Sequence, residues 1–100
     1  MSTSNKNKKT VRYHGQIVVD DLIPVKGKEV LEVNSNCDVV LRSYDENGNS
    51  DDSPLPVNIF ISKKDPTPSD ILRDVRKQVG NRRFLISQSA VDLIQKFAEN

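Results

Sequence analysis

The side chains able to do chemistry are few, so each can be weighed in turn. His14 is the only histidine in the chain. A hydrolytic triad or a metal centre needs such a base or ligand with fixed partners. Asp20 and Asp21 are the nearest acids, and no motif ties them to His14. It is therefore expected to be a polar, partly exposed residue at a strand end. Cys37 is the only thiol, which excludes an internal disulfide and a cysteine-based zinc cage. Its alternation with Val39 and Leu41 predicts a small hydrophobe packed in the core, since free cysteine is among the most often buried residue types.

Asp45, Asn47, Asn49 and Asp51 set oxygen side chains at alternate positions, as in the first half of a calcium loop. A calcium loop starting at Asp45 also needs a glycine at its sixth position and a bidentate glutamate at its twelfth. Those positions hold Ser50 and Pro56. The segment is expected to be a solvated hairpin loop that turns at Asn47-Gly48. Gly15, Gly27, Gly48 and Gly80 are dispersed as turn and cap residues, so no phosphate-cradling loop is formed. No catalytic residue, cofactor-binding residue or metal ligand is assigned, and the chain is read as non-enzymatic.

The strongest binding signal is basic. Lys63, Lys64, Arg73, Arg76, Lys77, Arg82 and Arg83 crowd residues 63–83, and Lys6, Lys8, Lys9 and Arg12 open the chain. Such a set can neutralise phosphates or meet an acidic partner. Acids dominate the middle instead: Asp20, Asp21, Glu29, Glu32, Asp38, Asp45, Glu46, Asp51 and Asp52 outnumber the bases there. The net charge of +1 hides this segregation, and the isoelectric point of about 7.8 lies below the strongly basic range of dedicated nucleic-acid domains. The order strand, helix, turn, helix is also that of ribbon–helix–helix DNA-binding proteins. The connection through Lys63 and Pro66 is too long for that motif, and Phe60 is too apolar to read bases. The span from Gly80 to Ile86 is likewise too long for a helix-turn-helix. No family is assigned.

These groups need elements to hold them. Residues 1–10 lack an apolar period and are expected to form a disordered basic tail. Residues 11–100 suffice for one domain with one core. The folded part starts at Val11 to Tyr13, and residues 16–19, 29–33, 37–44 and 56–62 read as strands, with Val57, Ile59 and Ile61 on one face of the last. Pro24 confines Leu22-Ile23-Pro24-Val25 to an edge or a crossing loop. Thr67-Pro68-Ser69-Asp70 is a helix start, Ile71, Leu72, Val75 and Val79 its apolar stripe, and Gly80 its stop. Arg83 to Ile86 fits a short strand or a helix entry. Ser87 caps a last helix whose stripe is Ala90, Val91, Ile94, Phe97 and Ala98.

Strands followed by helices predict an α+β fold: a small antiparallel sheet of about four strands, with two helices packed on one face. No apolar run is long enough to cross a bilayer and no signal peptide is visible, so a cytoplasmic protein is expected, away from membranes. The favoured function is a protein-binding module, such as a regulator, an inhibitor or a subunit of an assembly, with self-association as one form. The alternative is nucleic-acid binding through residues 63–83 and the lysine-rich tail.

Overall fold

The computed structural model describes residues 11–59 and 64–99. Strands β1 (Val11–Tyr13) and β2 (Gln16–Val19) form a hairpin through His14 and Gly15, with φ of 49° and 85°. Two successive positive-φ residues are what a two-residue hairpin needs to match strand twist. Strand β3 (Glu29–Val33) pairs antiparallel with β4 (Val39–Ser43), and β4 with the two-residue β5 (Leu55–Pro56). Helix α1 (Pro68–Val79), strand β6 (Leu85–Ser87) and helix α2 (Gln88–Glu99) complete the chain.

The sheet is mixed and has six strands among the described residues, in the order β1-β2-β6-β3-β4-β5. This corrects the expectation of about four antiparallel strands. Strand β6 enters between β2 and β3 and runs parallel to both. Its three residues are too few for periodicity to separate a central strand from a helix entry. Only the long-range pairs Val18 with Ile86 and Leu31 with Ile86 reveal its place.

One sheet face carries the main core. Register sets Leu31 opposite Leu41, Val33 opposite Val39, and Ile86 beside Leu31. Ile71, Leu72, Val75 and Val79 of α1 and Ala90, Val91 and Ile94 of α2 pack against them. Both helices therefore lie on one face, as the two apolar stripes require. Helix α1 starts with a full capping box: Thr67 accepts from the Asp70 N–H, and Asp70 accepts from the Thr67 N–H. Gly80 closes it at φ 75°. Ser87 caps α2 by accepting the Ala90 N–H at 3.2 Å.

Two further expectations change. Cys37 is exposed and lies in the β3–β4 turn at φ 66°, not in the core. Asn34 closes that turn by accepting the Cys37 N–H on its carbonyl and the Asn36 and Asp38 N–H groups on its side chain, so β4 starts only at Val39. Of the strand expected over 56–62, Pro56 belongs to β5 (Leu55–Pro56), residues 57–59 are not strand, and residues 60–62 lie outside the described residues. Val57 is buried and donates to the Val39 carbonyl, while Asn58 turns to the side chain of Gln78. Phe60, Ile61 and Lys63 lie outside the described residues, as does the tail 1–10.

The opposite sheet face carries Val19, Leu85, Val30, Val40, Glu32 and Arg42. Val30 and Val40 are buried there without a helix above them. An irregular strap, residues 20–28, lies over Val30, and a half-open cavity of about 250 Å³ lies between Ile23, Pro24 and Val25 on one side and Val30, Glu32 and Tyr44 on the other. The strap is the crossing connection that Pro24 suggested. No helix among the described residues is long and apolar enough to cross a membrane.

Candidate binding surfaces

The strap is fixed at both ends by hydrogen bonds. Asp20 accepts the Leu22 N–H on its carboxylate at 2.9 Å and the Ile23 N–H on its carbonyl at 3.1 Å. Asp21 accepts the Ser89 N–H at 3.2 Å, at the start of α2. Gly27 donates to the Asp45 carbonyl at 2.8 Å, and Tyr44 donates to the Lys28 carbonyl at 2.9 Å. This frame holds Leu22 and Ile23 outward, 91% and 60% exposed. Val11, on the edge strand β1, is 60% exposed. Val11 and Ile23, with Ile17, Val19, Pro24 and Leu85, wall a groove of about 800 Å³. Asp20, Asp21 and Asp92 gather at its α2 end, and Lys26 and Lys28 line it where the strap returns to β3.

The second surface wraps the end of the sheet where β2, β6 and β3 begin. Arg12, Lys28, Arg76, Arg82 and Arg83 line a groove of about 1110 Å³. Gln16 sits between Arg76 and Phe84: with its amide turned so that both neighbours are satisfied, its oxygen accepts from the guanidinium at 2.8 Å and its nitrogen donates to the Phe84 carbonyl at 3.2 Å. Arg82 bridges to Glu29 at 3.3 Å, and Glu29 also accepts from Ser43 Oγ. Asp45 and Glu46 border the same groove.

The described basic residues singled out from sequence are only partly brought together. Arg76, Arg82 and Arg83 share this groove. Arg73 instead bridges to Asp70 at 3.4 Å. Lys64 and Lys77 are exposed and do not line it. Arg12 and Lys28, which line it, were outside the residue 63–83 set. Arg12 belonged to the basic N-terminal set and sits mid-strand in β1, and Lys28 immediately precedes β3.

Three smaller sites complete the picture. His14 meets Ser69 Oγ through Nδ1 at 2.7 Å, joining the β1–β2 turn to the first turn of α1. The Tyr13 ring stands edge-on to the imidazole at 4.7 Å between centroids. No cavity described here unites this pair with an oriented third group, and triad chemistry needs one. Asp45 spends its carboxylate on the Asn47 and Asn49 N–H groups, each at 2.9 Å, which makes it a turn former. Among the described residues no group of three His, Cys, Asp or Glu side chains is arranged to hold a metal ion.

On the strap side of the sheet, Glu32 accepts from Tyr44 Oη at 2.7 Å and from Arg42 Nε at 3.1 Å. Burial, that hydrogen bond and the Glu32 charge all favour the protonated phenol, and Arg42 opposes them. The Tyr44 pKa is pushed up to about 12.

No family model, curated protein or solved structure matches the chain, so its function rests on these surfaces alone.

Proposed function

We propose that the chain is a non-enzymatic protein-binding module whose strap face docks another polypeptide. The observation that carries this reading is the outward display of Leu22 and Ile23 on a strap tied down at both ends. Burying such a side chain is worth about 1.5–3 kcal/mol each. A backbone that fixes both outward forgoes that gain in the free chain and offers it to a partner. The groove beside them is apolar along its length and charged at its ends. Its occupant is an extended segment with two or more apolar side chains, carrying a base that meets Asp20, Asp21 and Asp92.

The test is Leu22→Ser/Ile23→Ser. Binding partners captured by the wild-type chain are compared with those captured by the variant, and both chains are run in sedimentation equilibrium at micromolar concentration. A partner of the stated chemistry that is lost with the variant supports the reading. A wild-type dimer that becomes a monomer makes the occupant a second copy. An unchanged partner set together with unchanged sedimentation overturns it.

A further inference from the structure

We propose that the arginine groove at the β2–β6–β3 end binds the phosphate backbone of single-stranded nucleic acid, independently of the strap face. Three of its guanidinium groups, those of Arg12, Arg76 and Arg83, take part in no ion pair among the described residues. Arg76 is nonetheless oriented, by Gln16. An oriented cation without an acid partner spends less conformational entropy when an anion arrives. Arginine, not lysine, dominates the set, and its planar fork matches phosphate oxygens in a bidentate fashion.

The dimensions also favour a strand of nucleic acid. From β1 across β2 and β6 to β3 are three strand spacings, about 14 Å in total at roughly 4.8 Å each. Consecutive phosphates of one strand lie roughly 6–7 Å apart, so the span reaches about three of them. Asp45 and Glu46 border the groove and repel phosphates, which confines the strand to the arginine side. An acidic peptide meets the same repulsion but presents carboxylates on flexible stems at irregular spacing, a poorer fit to this row.

The test is fluorescence anisotropy of the full chain with labelled mixed-sequence single-stranded RNA and DNA over a salt series. About three phosphate contacts predict a slope of log K against log salt of about −2. Arg76→Gln/Arg83→Gln should reduce that slope by about 1.4 and weaken binding roughly tenfold. The charge-matched pair Lys64→Gln/Arg73→Gln, away from the groove, should leave both quantities unchanged, and so should Leu22→Ser/Ile23→Ser. Circular dichroism confirms that each variant is folded. Absence of binding at physiological salt overturns the proposal, as does equal loss in the two charge-matched pairs. Competition by poly-glutamate as strong as by nucleic acid also overturns it, in favour of an acidic protein ligand.

Discussion

The β3–β4 turn and the turn between Tyr44 and Ser50 follow one backbone plan. In each, a first residue (Asn34 or Asp45) accepts the N–H three residues on with its carbonyl, and the N–H groups two and four residues on with its side chain. The fourth position then takes positive φ. Gly48 fills it at 85°, and Cys37 fills it at 66°. A left-handed conformation costs an ordinary L-residue about 1–2 kcal/mol, and glycine returns part of that gain as unfolded-state entropy. Cys37→Gly should therefore raise stability by about 0.5–1 kcal/mol, read from the urea midpoint. A lower midpoint would mean that the thiol makes contacts that outweigh the strain. Tyr44 gives a second residue-scale prediction. Its phenol ionises near pH 10 in an unfolded chain but at about 12 here, so the folded state favours the protonated form. The resulting stabilisation is complete below pH 10 and is lost as pH rises through about 12. A phenolate absorbance titration should show this late step in the wild type and lose it in Tyr44→Phe.

The elements differ in how locally they are specified. Helix α1 carries its own start and stop, so Thr67→Ala should cost about 1 kcal/mol by removing the cap while leaving the fold intact. Strand β6 has no such signature and is held by its neighbours. Ile86 is fully buried between β2 and β3, in the core that both helices help to build. Ile86→Ala should cost about 2–5 kcal/mol, several times the capping loss. Urea denaturation of the two variants side by side checks the ranking, and equal losses would remove the central role given to β6. That central role also separates the charges. The arginine groove lies where the parallel strands begin, and Asp20 and Asp21 follow where β2 ends.

At the scale of the whole molecule, the two sheet faces have different fates. One is sealed by α1 and α2; among the described residues the other is covered only in part, by the strap. Because Leu22 and Ile23 lean on little of the core, Leu22→Ser/Ile23→Ser should change the melting free energy by no more than about 0.5 kcal/mol. A larger loss would make the strap a structural lid and weaken its reading as a docking surface. The opposed charges suit a molecule that meets partners in a preferred orientation, with nucleic acid proposed at one end of the sheet and polypeptide along the strap.

Local signals were enough wherever a residue's role is settled within a few neighbours. The capping box, the two helical stripes, strands β2 and β3, the turn-forming Asn34 and the barrier set by Pro24 were legible in the sequence for that reason. Cys37 misled because alternation with Val39 and Leu41 continues through a turn whose geometry is set by the side chain of Asn34. Strand β6 stayed ambiguous because three residues carry no period, and its parallel partners lie far away in the chain. The basic set divided for the same cause: proximity in sequence grouped Arg73 and Lys77 with Arg76, whereas helix rotation and the sheet order united Arg76 with Arg12, Lys28, Arg82 and Arg83. The sequence by itself determined the helices, most strand segments and the α+β class, since these depend on short-range hydrogen bonding and periodic burial. Only the tertiary structure decided the mixed sheet, the half-covered face and the arginine groove, because each arises from contacts between segments whose separation along the chain leaves no local trace.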